Sequence, residues 1–241
     1  MKGHIVVRKA SVVDLAAVAR LEYAIFGREG IIPFQIDHFA ACLAAYPEGF
    51  FVAEQEKKVV GYVYAQIVFY NMAGSDEAGR WSSFEEVIAR GHKPAGNYHL
   101  GINIGSAIPG AGKLLVQELL ALGHRTGKPV LGMSRVSGFA QYVEGLVSQG
   151  VLPAEICEQA LNTVAVQYVL ACAQMVSGKV KLASWCPGIC EPAPFMLPPP
   201  SVRDPVLCKY LLNKDVAVYA VLPRFLDDAA SMGYSVLIGP A

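Results

Sequence analysis

The residues of this chain best suited to hold a charged group run Pro109-Gly110-Ala111-Gly112-Lys113. Glycines let the backbone come close to a ligand, and the free N–H groups at a helix start sit at the positive end of its dipole. Together they make a place for a phosphate, to which Lys113 could add charge. The segment is neither the lysine-serine/threonine phosphate loop nor the three-glycine dinucleotide fingerprint. A tight turn into an amphipathic helix, with Lys113 solvated, accounts for the same residues. Metal chemistry has less to rest on. Of six cysteines only Cys186 and Cys190 are close, in W-C-P-G-I-C, with no second pair and no histidine at ligand spacing. Reduced thiols of a cytoplasmic protein are the expectation.

The elements that must position the glycine segment can be read around it. Leu100 to Ile104 is a short apolar run of strand character. After the loop, residues 113–122 carry Leu114, Leu115, Leu119 and Leu122 at helical spacing, with Gly123 and Gly127 as stops. A second apolar strand begins at Val130, after Pro129. Upstream, residues 5–9 read as a strand. Ser11-Val12-Val13-Asp14 has capping-box spacing and opens a helix through Phe26, with Leu15, Val18, Ala19 and Ile25 near one face. A helix over 36–45 and a hairpin of 50–54 with 59–70, turning at Gln55-Glu56-Lys57-Lys58, complete this half. Residues 71–97 are polar and glycine-bearing, with a short helix candidate at 83–88.

The chain has 241 residues, 54% hydrophobic and 17% charged, and no formal net charge. That length allows one large core or two small domains. The charged fraction is below the roughly 25% of an average globular protein, which points to extra buried or partnered surface. No lysine/arginine-rich run appears, so nucleic acid and anionic membrane are poor partners. The amino terminus lacks a long apolar core of the secretory kind. The longest apolar stretch, 164–176, is interrupted by Gln167 and Gln174 and falls short of the roughly 20 residues of a bilayer span.

Strand, two helices, hairpin, then strand–glycine loop–helix–strand is an order that resembles the GNAT superfamily of acyl-coenzyme A-dependent acyltransferases. Gly110 and Gly112 match the last two positions of that family's loop signature, while Ala107 stands where arginine or glutamine is usual. A second match lies near the carboxyl end. Asp204-Pro205-Val206-Leu207-Cys208-Lys209-Tyr210 leads to a strand at 216–221, then Leu222-Pro223-Arg224-Phe225 and Ser231-Met232-Gly233-Tyr234-Ser235-Val236-Leu237-Ile238. This is similar to a GNAT subgroup that includes the GNAT-like loading domains of polyketide synthases. The resemblance covers roughly residues 5–145 and 203–238. It implies an α/β fold over a single domain, 1–241, with a mixed central sheet splayed at the cofactor strand. The helical and proline-rich stretch at about 150–202 would be an insertion. Its segment 154–176 is apolar on nearly every side, so it would cap the cleft or pack against another subunit in an oligomer.

The resemblance also assigns roles. Acetyl-coenzyme A or another acyl-coenzyme A would be the cofactor. Its pantetheine would pair with the backbone of Ile102, Asn103 and Ile104, a form of strand addition. Its pyrophosphate would face Pro109, Gly110, Ala111, Gly112 and Lys113. Tyr210 occupies the slot of the general acid that protonates departing thiolate, although Lys214 replaces a glycine usual after it. His99, before the cofactor strand, would be the general base, with an ordinary pKa of about 6.5. A core tyrosine and a structural histidine are the plainer readings of these two. The first expectation is an acyltransferase acting on a small amine. The loading-domain relatives imply instead malonyl decarboxylation and transfer to a carrier protein. Their threonine falls on Gly132, their histidine on Tyr210 and their arginine on Leu226. A binding protein that has lost catalysis is a third reading.

Overall fold

The computed structural model describes residues 3–27, 33–70, 91–183, 186, 188–189, 195–201, 204–225 and 229–241. The helix candidate at 83–88, Cys190 and Leu226 lie outside these. The described residues fall into two compact units, one formed by residues up to Tyr70 and from 91 to Leu131, the other from Gly132 onward.

The first unit is an antiparallel meander with helices on it. Strands β1 (Ile5–Lys9), β2 (Phe50–Gln55), β3 (Lys58–Val68) and β4 (Tyr98–Ser106) lie side by side in that order. The β2–β3 turn forms where expected, because Glu56 and Lys57 both adopt positive φ, 50° and 64°, the geometry that matches strand twist in a two-residue hairpin. Ser11 donates from both its N–H and its hydroxyl to Asp14 Oδ2 at 2.9 Å. A short 3-10 turn there leads into α1 (Leu15–Phe26), and α2 (Ile36–Ala45) follows. Phe39 of α2 packs edge-on against Tyr62 at 5.4 Å and tilted on Phe50 at 6.0 Å, all three buried. Each such ring contributes about 1.5–3 kcal/mol by leaving water.

Helix α3 (Ala111–Thr126) buries Ala111, Leu115, Leu119 and Leu122, one stripe at three- and four-residue steps. Gly61 of β3 lets it lie close, since a Cβ there would come 3.0 Å from Leu115 Cδ1. The helix is longer at both ends than the 113–122 leucine pattern. It starts directly after Gly110 and ends at Gly127, whose φ of 66° turns its N–H back to His124 and Gly123. Strand β4 likewise outruns the expected 100–104 because the length of β3 offers it partners from Gly61 to Val68.

The second unit joins strands far apart in sequence. The order is β5 (Val130–Arg135), β8 (Ser235–Pro240), β7 (Val216–Leu222), β6 (Lys179–Val180). Arg135 faces Ser235 and Gly132 faces Ile238, antiparallel; β6 runs parallel to β7. Helices α4 (Phe139–Ser148), α5 (Glu158–Met175) and α6 (Pro205–Leu211) complete it. In α5 Val164, Val166, Tyr168, Val169, Cys172 and Ala173 are buried, and the helix packs on α6, β6 and β7. Leu161, Leu170 and Met175 on the same helix are half-buried. Of the proline-rich segment, Pro198 is tied down by Tyr142, whose hydroxyl donates to its carbonyl at 2.6 Å. Cys186 is buried, its sulfur accepting from Val221 N at 3.3 Å.

Candidate functional site

The glycine loop has the backbone that its residues imply. Gly110 caps α3 at φ 93° with no side chain capping the helix. Ala111 N reaches only Ile108 O, at 3.4 Å, and Leu114 N bonds Gly110 O at 3.2 Å. Between them the N–H groups of Gly112 and Lys113 have no acceptor among the described residues. Two free donors thus stand at the positive end of a helix of 16 residues. The Lys113 side chain is exposed, and Pro109 offers only a carbonyl.

Gly110 is required for its backbone rather than for space. A Cβ there would meet nothing nearer than Ile5 Cδ1 at 3.9 Å, but φ 93° is poorly accessible to L side chains. A larger residue there would bring conformational strain.

The adjoining strand carries an irregularity that no sequence feature announced. Along β3, Tyr64 faces Asn103 and the next residue, Ala65, faces Gly101. Ile102 is skipped: it is the extra residue of a β-bulge on β4. A bulge leaves backbone groups out of the ladder and re-aims the strand, and this one falls within the Ile102–Asn103–Ile104 backbone assigned to pantetheine.

Beside the bulge lies a buried carboxyl. Glu22, on α1, is 1% exposed. Its Oε1 accepts from Asn103 Nδ2 at 3.1 Å and from Phe34 N at 3.2 Å, and its Oε2 from the Tyr62 hydroxyl. Burial raises its pKa, opposed in turn by the bonds from Tyr62, Phe34 and Asn103. The same proximity, after burial, pushes the Tyr62 phenol well above its ordinary value. This group was missed in the sequence, though a signal was present. Leu15, Val18 and Glu22 share one apolar stripe of α1, and a glutamate in such a stripe must find internal partners.

His99 occupies a structural position. It is fully buried, its Nε2 lies 2.7 Å from Thr126 Oγ1, and the Thr126 hydroxyl itself donates to Leu122 O at 2.9 Å. The hydroxyl proton being committed, Nε2–H is the donor of the pair. The backbone N–H bonds Pro129 O at 2.9 Å, and Tyr46 stacks on the ring at 5.9 Å. Burial, then Lys128 and His92, lowers its pKa to about 4. Thr126 closes α3, at the opposite end from Gly112. Buried and held in this way, with Nδ1 lacking a partner, His99 reads as a structural residue rather than as the base for a substrate proton.

In the second unit Asp204 builds α6. Its Oδ1 accepts from Val206 N at 3.0 Å and Leu207 N at 2.8 Å, while Oδ2 accepts from Gly138 N at 2.9 Å. The cap, with Pro205 at the first turn, fixes where the helix begins. Tyr210, in the last turn of α6, is half-buried, and its hydroxyl has no hydrogen bond among the described residues. Burial pushes its pKa up to about 12. Lys214 is exposed and its carbonyl accepts from Lys179 Nζ at 3.1 Å. Ala107 is exposed, its N–H bonding Val60 O at 2.9 Å. At Gly132, a Cβ would come 3.1 Å from Ile238 Cγ1 and 3.2 Å from its Cδ1. A side chain there would need Ile238 to shift by a few tenths of an ångström. Among the described residues no group of three or more His, Cys, Asp or Glu could hold a metal ion, and no helix is long and apolar enough to cross a membrane.

No protein-family model matches the chain, nor does any curated protein. Among solved structures it is similar to the GphF GNAT-like decarboxylase in complex with isobutyryl-CoA, with TM-score 0.65 and 19% identity over 98% of each chain. It is similar as well to the loading GNATL domain of CurA from Lyngbya majuscula. There the TM-score is 0.62 and the identity 15%, over 98% of this chain and 97% of that one. The chain has the GNAT-like fold, mixed α/β with eight strands, in agreement with the two motif blocks.

Proposed function

We propose that this chain is a loading-type acyltransferase, which takes an acyl group from a coenzyme A thioester and passes it to the thiol of a carrier protein. The observation that carries the reading is the likeness, across 98% of the chain and so including the insertion, to a GNAT-like decarboxylase holding an acyl-coenzyme A and to a loading domain. A carrier-protein thiol accordingly takes the place of the small amine as proposed acceptor.

The chemistry asks little of a base. A thiol with pKa about 8.5 yields some thiolate near neutrality, whereas an ammonium with pKa about 10.4 must first be stripped of a proton. The burial of His99 therefore weighs less on thiol acylation than on amine acylation. The acceptor thiol releases its proton to water and its thiolate attacks the thioester carbonyl carbon. The bond from that carbon to the coenzyme A sulfur breaks, and coenzyme A leaves as a thiolate that takes up a proton from a donor which regains one from water. Tyr210 is the proposed donor. Its raised pKa of about 12 keeps the phenol protonated across the physiological range. The backbone of Ile102, Asn103 and Ile104, at the bulge, is proposed to pair with pantetheine, and the free N–H groups of Gly112 and Lys113 with pyrophosphate.

Gly132 carries no hydroxyl. The proposed reaction is thus transfer of the acyl group as delivered, without decarboxylation. The test incubates the protein with acetyl-, isobutyryl- or malonyl-coenzyme A and a phosphopantetheinylated carrier protein, then records the intact carrier mass. Acetyl- or isobutyryl-carrier is the expected product. Acylation of amines only, or no carrier product from any donor, overturns the proposal; acetyl-carrier from malonyl-coenzyme A restores the decarboxylase reading.

A further inference from the structure

Glu22 is a carboxyl group at 1% exposure for which no cation is a partner among the described residues. Such a group is costly to bury and persists where its geometry is needed. Its three partners are a phenol on β3, an amide on β4 and a backbone N–H just before α2. One side chain on α1 thus ties together the elements that meet at the bulge. Asn103 is the member that matters, since it is the residue immediately after the skipped Ile102 and faces Tyr64 across the ladder.

Oε1 accepts from Phe34 N as well as from Asn103, so Asn103 turns its Nδ2, not its carbonyl oxygen, inward toward it. That fixes the amide's orientation, and through it the backbone of the residue on which the bulge ends. A bulge is a place where one strand has more residues than its partner can hold in register, so its exact path needs an outside anchor. The Glu22–Asn103 bond, 3.1 Å long and linking residues distant in sequence, is that anchor. Gly105, two residues on, makes room for the Tyr62 ring. A Cβ at that position would sit 2.7 Å from Tyr62 Cε1, and the Tyr62 hydroxyl is in turn held by Glu22.

We propose that Glu22 is a positioning residue, which acts through Asn103 to set the path of β4 at Ile102, and with it the orientation of the bound thioester. The inference rests on the acyl-transfer reading above, because it supposes that the bulged backbone is where the thioester is held. Glu22 does not touch substrate. A displacement of well under an ångström at a reacting carbonyl lowers turnover while leaving the binding of the distant pyrophosphate unaltered.

The test compares wild type, Glu22→Gln, Glu22→Leu and Asn103→Ala by steady-state kinetics, by coenzyme A calorimetry and by melting. Gln keeps acceptors for Asn103 and Phe34 and can accommodate Tyr62, so Glu22→Gln should retain kcat within threefold. Glu22→Leu should lower kcat at least tenfold, with the coenzyme A Kd within twofold of wild type. Asn103→Ala should show the same split. The double variant Glu22→Leu/Asn103→Ala should lose no more than the worse single change, the non-additivity expected of two residues acting as one. Should Glu22→Leu fail to fold, Asn103→Ala and the Gln variant still decide. Asn103→Ala with kcat within twofold of wild type, or losses that simply multiply in the double variant, would overturn the proposal. A merely structural role would lower melting temperature in these variants without moving kcat. If wild type binds and turns over thioester while all variants match it, this inference fails alone. If wild type turns over no thioester with either acceptor, the acyl-transfer reading fails and carries this inference with it.

Discussion

The two units supply different things. In the first, the candidate features are made of backbone, a bulge at Ile102 and two free N–H groups after Gly110, with the Glu22 side chain holding the strand. In the second, the candidate is one side-chain hydroxyl, Tyr210, on a short helix whose start is fixed by the buried Asp204. Backbone features of this kind follow from the path of the chain and tolerate many side chains. A single hydroxyl tolerates none but itself. Damage at the glycine loop should therefore appear mainly as lost affinity, and damage at Tyr210, or at Glu22 and Asn103 that position the strand, as lost rate.

Tyr210→Phe is the severest test of that division. With the ring retained, turnover should fall roughly 10²–10⁴-fold, about 3–5 kcal/mol of barrier, with coenzyme A affinity unchanged. Acyl-carrier formation and calorimetry on both proteins check it. A rate within threefold of wild type removes Tyr210 from the mechanism and leaves the second unit without an assigned chemical group. Asp204→Ala comes next. It leaves the Val206, Leu207 and Gly138 N–H groups without their acceptor and should cost about 2–4 kcal/mol of stability, read from urea denaturation. The comparison is sharpened if the coenzyme A affinity of the folded fraction stays that of wild type.

Gly110→Val should act on the first unit in the complementary way. Placing a β-branched residue at φ 93° costs about 1–3 kcal/mol of strain, so coenzyme A affinity should drop at least tenfold by calorimetry. Gly110→Ala should lose less, because its Cβ enters open space. If Val binds coenzyme A as tightly as wild type, the loop is a turn and not a cradle. The smallest effect concerns the start of α1. The Arg8 guanidinium, bonded to both Asp14 oxygens at 2.8 Å, holds that carboxyl at about 2, below its ordinary value of 3.8. A depressed folded pKa means stability that is present above the ordinary value and lost as pH falls toward 2. Arg8 is 39% exposed, so solvent screening limits the pair to about 1 kcal/mol. The urea-midpoint gap between wild type and Asp14→Asn should be full at pH 7, shrink below the ordinary value of 3.8 and be mostly lost by about pH 2.

Elements whose signals are local were legible in the residues. Helix 36–45 and strand 5–9 appear with the expected bounds, because period and boundary residues lie within a few positions of one another. The Asp14 reach-back, the Asp204-Pro205 helix start and the Gly110 turn are local as well. So is the order of elements that pointed to the GNAT-like fold.

What the tertiary structure alone decided depends on which distant residues come to face one another. The bulge at Ile102 exists because β3 and β4, paired over most of their lengths, do not match residue for residue. His99 stood before a strand with two readings open, base or structural residue, and its burial against Thr126 and Tyr46 shows only in the structure. Glu22 could be seen to break an apolar stripe, but Asn103 and Tyr62, far along the chain, supply its partners. Period and capping are properties of neighbours in sequence, governed by the fixed geometry of one turn or one pleat. Register, burial and the pairing of a lone carboxyl are set by contacts between distant segments, which form only when the whole core closes.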